Sequence, residues 1–155
     1  MALNERNLRF FQSEDALGGD VTGTPADAIF ENVRGLQAEA GMTDYACIYF
    51  VNRDPDEAGL LDPELWLTPR PGTRSTVSLG VDPSGKNGVA QRISNRFEAP
   101  DGVVFVSSAP SMPFRLPSAP YYQDDRIPIW IRREVPQGAS PGPEGFRLMI
   151  RGEAF

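Results

Sequence analysis

The amino-acid sequence predicts an all-β protein built as a single sandwich, and two observations support this prediction. Apolar and polar residues alternate across residues 127–135 and again across residues 146–152, and a period of two is typical of strands that turn one face to a core. The chain also has 15 glycines and 15 prolines among its 155 residues, which suits many short strands joined by turns. We expect the two alternating runs, joined by residues 136–145, to form the closing hairpin of the sandwich.

The length of the chain fits one domain with a core of its own, but its first part differs in composition from the rest. We interpret residues 1–42 as an N-terminal arm with an edge strand, and residues 43–155 as the β-sandwich domain. The elements expected in the first part are a short strand at 8–12, a Gly-rich loop at 18–25, a second strand at 27–33 and at most one helical turn at 35–41.

The sandwich domain begins with its most apolar segment. Residues 45–52 are apolar on both faces, which predicts a central strand, or one whose outer face is covered by the arm or by a neighbouring subunit. Residues 76–81 give the clearest alternation, with Val77, Leu79 and Val81 on the inward face. The other elements expected are strands at 64–68, 90–93 and 102–106, a turn at 82–88 that lacks the ligand pattern of a calcium loop, and a Pro-rich loop at 107–125.

Charge, cysteine usage and hydropathy exclude several functions. The net charge of −6 disfavours nucleic-acid binding, which needs a basic surface. The single cysteine, Cys47, permits no internal disulfide and favours folding in a reducing compartment. Its position in an apolar strand predicts a buried, inert thiol rather than a nucleophile. The hydropathy pattern predicts neither a signal peptide nor a membrane span.

Residues that usually carry catalysis or bind metals are sparse in this chain. It contains no histidine, so the most common general base and zinc ligand are missing. Two acidic groups, Asp54 with Asp56 and Glu57, and Asp124 with Asp125, would suit a glycosidase only if their carboxyls differed in burial. We interpret both groups as solvated loops, so the sequence predicts no catalytic residue, no cofactor and no metal site.

Five residues are candidates for contacts with a partner: Phe11, Trp130, Arg132, Tyr121 and Tyr122. Alternation places Trp130 on the face of its strand opposite the isoleucines and beside Arg132, and tryptophan and arginine are typical anchors of interfaces. On this interpretation, Trp130→Ala weakens assembly more than folding. The alternative is that the Pro-rich loop covers Trp130 within the same chain.

The order of the sequence motifs between residues 44 and 152 is itself informative. A Tyr-x-Cys-Ile-Tyr strand is followed by Asn52, then by a Trp strand at 64–68 and the segment 78–88, and finally by a Trp-Ile-Arg-Arg strand that leads to residues 146–152. This order resembles small virion structural proteins of tailed bacteriophages, and residues 9–14 fit the same pattern. The resemblance implies an immunoglobulin-like β-sandwich with no catalytic residue.

The same resemblance implies a non-enzymatic virion protein, and capsid decoration or cement is the role we expect first. Its partners would be the major capsid protein or other virion proteins, with many copies or a homo-oligomer in each particle assembled in the host bacterial cytoplasm. The alternatives are a tail, neck or baseplate component, a carbohydrate-binding module with Tyr121, Tyr122 and Trp66 or Trp130 as platforms and, least favoured, a glycosidase. We expect neighbouring subunits to order residues 1–28, unless residues 8–12 pair within their own sandwich.

Overall fold

The computed structural model describes residues 8–26, 29–30, 35–54, 59–139 and 145–152. In chain order its elements are β1 (Leu8–Ser13), β2 (Val21–Pro25), α1 (Gly35–Ala40), β3 (Met42–Asn52), β4 (Glu64–Pro69), β5 (Thr76–Val81), β6 (Phe114–Arg115), β7 (Arg126–Val135) and β8 (Phe146–Arg151). The strands form a five-stranded sheet in the order β2-β1-β3-β7-β5 and a three-stranded sheet in the order β6-β4-β8, with every pair antiparallel. The prediction of an all-β sandwich is confirmed.

The main core lies between the two sheets, and the strands β3, β4, β5, β7 and β8 contribute alternate side chains to it. Ile48 and Phe50 of β3 and Ile129 of β7 are fully buried on the larger sheet. Leu65 and Leu67 of β4 face them from the smaller sheet. The alternation seen in the sequences of β5 and β7 therefore marks their inward faces correctly.

The strand β3 is the middle strand of the larger sheet, as its two-sided apolar pattern predicts. It pairs with β7 along nearly its whole length and with β1 on the other side. Its outward-facing Cys47, Tyr49 and Val51 form a second buried cluster with Trp130. This second cluster is covered by residues of the same chain, chiefly the irregular segment 89–106.

Gly80 of β5 explains how this irregular segment comes so close to the larger sheet. Gly80 is the cross-strand partner of Trp130, and a Cβ at this position would collide with the backbone carbonyl of Val104. The missing side chain lets the backbone of Val104 lie directly over the sheet, and the segment then pairs with the edge of β5, where Leu79 and Val106 exchange two backbone hydrogen bonds of 2.9 Å. The outer face of the larger sheet is consequently buried as one side of the second cluster.

The strands β7 and β8 do not form the closing hairpin that the sequence predicts. β7 pairs with β3 and β5 in the larger sheet, whereas β8 pairs with β4 in the smaller one. Both strands turn their apolar faces to one core from opposite sides, so that Ile129 and Leu148 belong to the same cluster. Alternation identifies the inward face of a strand, but it does not determine which sheet the strand joins.

Other segments confirm or correct their predicted form. The strands predicted at 8–12, 45–52, 64–68, 76–81, 127–135 and 146–152 are confirmed. The loop predicted at 18–25 contains the edge strand β2. The segments 90–93 and 102–106, which were predicted as strands, make only one isolated bridge each. They cover the second cluster rather than extend a sheet. The loop predicted at 107–125 contains the short strand β6.

The first strand belongs to the sandwich itself. β1 lies between β2 and β3, so it is an inner strand of the sheet, and the ring centroid of its Phe10 is 5.6 Å from that of Phe50. Pairing of residues 8–12 within their own sandwich therefore describes this strand, and the interpretation of residues 1–42 as an arm is corrected for residues 8–25. Residues 1–7 lie outside the described residues. So does the strand expected at 27–33, apart from residues 29 and 30.

Candidate interaction surfaces

Trp130, the first interface candidate, is fully buried within its own chain. Its indole Nε1 donates a 2.9 Å hydrogen bond to Oδ1 of Asp82, which is also buried. Burial disfavours the Asp82 carboxylate, but the hydrogen bonds from Trp130 and Ser84 outweigh this and hold its pKa below the ordinary value. The prediction that Trp130 faces a partner is wrong, because the irregular segment 89–106 covers it, rather than the Pro-rich loop.

Tyr121 is also fully buried and belongs to the main core. Its hydroxyl donates to the carbonyl of Pro117, and its ring packs edge-on against Phe50 with the centroids 5.8 Å apart. The ammonium of Lys86 lies 5.1 Å from the ring centroid and donates to the carbonyl of Pro120 at 2.8 Å. Burial raises the pKa of the Tyr121 hydroxyl. Tyr121 and Trp130 are therefore unavailable as partner contacts or as sugar platforms.

The other three candidates are at least partly exposed. Tyr122 is 45% exposed. The guanidinium of Arg132 lies 5.0 Å from the ring centroid of Phe105, and the side chain of Phe11 is half-buried at the border of the second cluster. Phe11 lies in β1, Arg132 in β7 and Tyr122 in the loop before β7.

The structure brings the two predicted acidic loops together. The side-chain amide of Asn52 donates to the carbonyl of Tyr121 at 2.9 Å, and Arg53 pairs with Asp124 at 3.2 Å. Asp125 accepts from the Asn87 amide at 2.9 Å. Burial opposes ionisation of Asp125, but this hydrogen bond and others hold its pKa below the ordinary value, whereas a general acid needs a raised pKa. Asp56 and Glu57 lie outside the described residues.

The segment 82–88 is a turn, as predicted. The backbone N–H of Gly85 donates to the Asp82 carbonyl, and that of Gly88 donates to the Gly85 carbonyl, both at 3.0 Å. The Asp82 carboxylate is occupied by Trp130 and by the backbone N–H of Ser84 at 3.0 Å. Among the residues that the structure describes, no three carboxylate or thiol side chains are grouped closely enough to hold a metal ion.

Cys47 has the buried thiol that the sequence predicts. It is 0% exposed in the second cluster. Burial raises the pKa of the thiol to about 12, against a smaller lowering effect of a hydrogen bond involving Ser13. A thiolate is the reactive form of cysteine, so a thiol in this environment is held in its unreactive state.

A partly exposed surface lies on the outer side of the smaller sheet, and the sequence analysis named only its Trp66, as a possible sugar platform. We call it the Trp66 face, and it consists of Glu64, Trp66, Arg115, Met149 and Arg151. Trp66 and Met149 are directly opposite each other across strands β4 and β8. The guanidinium of Arg151 lies 5.3 Å from the Trp66 ring centroid and pairs with Glu64 at 3.1 Å.

Electrostatic contacts fix the geometry of the Trp66 face. A hydrogen bond from Arg151 is the main cause that lowers the pKa of Glu64, and a further one comes from Arg115 at 3.3 Å. Arg151 is thus held over the indole ring by Glu64. The signal for this face was present in the sequence, because Trp66 alternates with the inward-facing Leu65 and Leu67.

Comparison with known proteins gives no relative, since no family model, curated protein or solved structure matches this chain. Within the described part of the chain, no helix has the length and apolar character needed to cross a membrane.

Proposed function

We propose that the protein is a non-enzymatic structural protein of a tailed-bacteriophage virion that decorates the capsid and acts as a cement protein. The order of motifs between residues 44 and 152 supports this proposal, together with a two-sheet sandwich of the kind that the resemblance implies. We further propose that the sandwich is immunoglobulin-like, and that the segment before Leu8 is the arm that contacts neighbouring subunits.

The Trp66 face is the observation that carries the proposal. It combines a tryptophan, a methionine and arginines, which are the residue types enriched at the centres of protein interfaces. Its apolar area continues at the neighbouring turn, where Arg151 contacts the carbonyl of Pro110 at 3.5 Å and Met112 is 72% exposed. A single small contact binds weakly, but many copies of the same contact on a particle surface bind strongly through multivalency.

A purified-virion experiment tests the location of the protein. Quantitative mass spectrometry of particles should give a copy number on the order of hundreds, as expected for a protein that repeats with the capsid lattice. A handful to a few dozen copies would favour the alternative of a tail, neck or baseplate component. Absence from purified particles would contradict both versions of the proposal.

A binding experiment tests the Trp66 face. Particles that lack the protein are mixed with purified wild-type protein or with Trp66→Ala, and occupancy is measured after sedimentation. We expect Trp66→Ala to occupy far fewer sites while its melting temperature stays close to that of the wild type. Phe97→Ala is the matched control, because Phe97 is 52% exposed and also lies under an arginine, with Arg96 4.7 Å from its ring centroid. Equal occupancy by both variants would exclude the Trp66 face as the contact.

A further inference from the structure

One side of the sandwich is only partly filled between its two sheets, where Phe30 packs against Phe146 with the ring centroids 6.5 Å apart. A cleft of about 600 Å³ lies between β1, the end of β2 and the beginning of β8. We call it the edge cleft, and its apolar wall includes Phe10, Phe146 and Leu148.

The inward-facing side chains of β8 are less buried than those of the neighbouring strand β4. Leu65 and Leu67 of β4 are 0% and 6% exposed. Their cross-strand partners on β8, Ile150 and Leu148, also face the main core but are only half-buried. In the described part of the chain, β8 pairs with β4 on one side and with no strand on the other. Among the described residues this second edge has no strand partner, and an unpaired edge of a sheet is a template for an added strand.

The charge around the edge cleft selects the kind of strand that would fit. Arg9, Arg70 and Arg147 line the cleft, and among the described residues that line it there is no aspartate or glutamate. None of these three arginines forms an ion pair with a carboxylate among the described residues. This concentration of positive charge is unusual for a chain with a net charge of −6, and it attracts a ligand that carries carboxylates.

We propose that the edge cleft binds an extended acidic segment of a partner protein, which adds to the smaller sheet as a strand beside β8. Backbone hydrogen bonds to β8 would supply affinity, as in other cases of strand addition. Because side chains alternate along a strand, apolar residues of the segment would enter the cleft beside Phe146 and Leu148. Its carboxylates would meet the arginines at the rim. The cleft lies at the edge of the smaller sheet, whereas the Trp66 face is the outer side of that sheet. The cleft is therefore a second site, beyond the one used in the proposed virion role.

A peptide titration tests the proposal with the full-length protein. The probe is a fluorescent, end-capped peptide of alternating valine and glutamate, about six residues long to match the length of β8, and binding is followed by anisotropy. We expect saturable binding, and at least tenfold weaker binding of a valine–lysine peptide, because its charges would face the arginines. No binding of the acidic peptide, or equal binding of the two peptides, would overturn the proposal.

Charge reversal tests the position of the site. Arg9 and Arg70 are both exposed, so Arg9→Glu and Arg70→Glu should fold normally and should each weaken binding about five- to tenfold. Arg92→Glu is the matched control, since Arg92 is also an exposed arginine but lies outside the cleft. We expect it to leave the affinity within about twofold, the size of a weak long-range charge effect. An equal loss of affinity in all three variants would mean that binding is general charge attraction, and would overturn the proposal.

N-methylated peptides test strand addition. In an added strand, alternate amides face the edge of β8 and the others face away. Methylation of one alternate set should abolish binding, and methylation of the other set should preserve it. Equal effects of both sets would exclude strand addition.

A different occupant of the cleft would also be detected. A dimer in sedimentation that Arg9→Glu dissociates would assign the cleft to a second copy of the chain. A gain in peptide affinity on deletion of residues 1–7 would assign it to the N-terminal segment of the same chain. Either result overturns the proposal of a partner protein, whereas the particle experiments on Trp66 test the virion role separately.

Discussion

Arg133 and Asp44 form a fully buried, two-point ion pair between the central strands β3 and β7. The Arg133 Nε and Nη2 atoms donate to the two carboxylate oxygens of Asp44 at 2.9 and 2.8 Å, and both side chains are 0% exposed. The two residues are also direct cross-strand partners. A shift of one residue in the pairing of these strands would separate the two charges inside the protein, so the pair opposes such a shift.

Removal of one partner of this pair should strongly destabilise the fold. We expect Arg133→Met to lower the free energy of unfolding by about 3–5 kcal/mol, because Asp44 would be left buried without its main partner. Arg132→Met is the matched control, since Arg132 is partly exposed and pairs with Glu134 at 3.3 Å, and it should cost about 1 kcal/mol or less. Urea unfolding of the two variants measures both values. Similar losses in the two variants would mean that the buried ion pair of Arg133 contributes no more to stability than the partly exposed ion pair of Arg132.

The two tryptophans of the chain should respond in opposite ways to truncation. Trp130→Ala should lower the free energy of unfolding by about 3–5 kcal/mol, because its side chain fills the second cluster and satisfies Asp82. Trp66→Ala should cost much less, because Trp66 lies on the outer side of its sheet. Chemical denaturation gives both values. A near-native stability of Trp130→Ala would contradict the role of its side chain in filling the second cluster.

The case of Trp130 shows how far the sequence alone predicts the fold and the candidate site. Alternation correctly places Ile129 toward the core and Trp130 on the opposite face. It cannot show that this opposite face is covered, because the cover is an irregular segment with no periodic pattern of its own. Gly80 was the available signal, since a glycine within a strand often marks a close approach of another backbone.

The thiol of Cys47 should be unreactive in the folded protein. It is fully buried, and burial raises its pKa to about 12, so almost no thiolate forms near neutral pH. We expect no labelling by a thiol-specific reagent under native conditions and complete labelling of one thiol per chain in denaturant. Rapid native labelling would show that the second cluster opens readily. Cys47→Ser tests packing separately and should destabilise the fold, because it places a polar hydroxyl in an apolar cluster.

The stability of the fold should fall in acid and stay nearly constant around neutral pH. Hydrogen bonds hold the pKa of Asp82 below its ordinary value of 3.8 despite its burial. The folded state therefore binds fewer protons than the unfolded state. The resulting stabilisation is present above the ordinary pKa and is lost as the pH falls through the lower, folded-state pKa. The chain has no histidine, so little change is expected from about pH 5.5 to about pH 8.

Unfolding midpoints measured from about pH 2.5 to about pH 8 check both the acid loss and the constant stability near neutral pH. Asp82→Asn should lower stability at neutral pH and should make the loss in acid smaller than in the wild type, because one carboxylate with a lowered pKa is gone. Asp62→Asn is the control, since Asp62 is exposed, and it should keep the acid profile of the wild type. An unchanged profile in Asp82→Asn would assign the acid sensitivity to other groups, such as Asp125, whose pKa is also lowered.

Deletion of residues 1–28 should prevent folding, which reverses the expectation for a free arm. The deletion removes β1, which pairs with β3 from Leu8 to Gln12, and it exposes the edge of the central strand. It also removes Phe10 from the main core, where its ring packs against Phe50. Composition suggested an arm because the segment is rich in glycine and short of large apolar residues. The side chains of Phe10 and Phe11, which pack against the main core and the second cluster, and a continuous ladder of cross-strand pairs are nevertheless enough to fix the strand in the sheet.

Deletion of residues 1–7 is the matched control, because it removes none of the contacts described for β1. We expect this shorter deletion to melt near the temperature of the wild type, whereas the longer one should yield insoluble protein or protein without a cooperative transition. If the shorter deletion also lowers occupancy on particles, the segment before Leu8 contributes to assembly, as proposed. A folded, soluble protein that lacks residues 1–28 would mean that β1 adds little to the sandwich, and the first part of the chain would then be an arm after all.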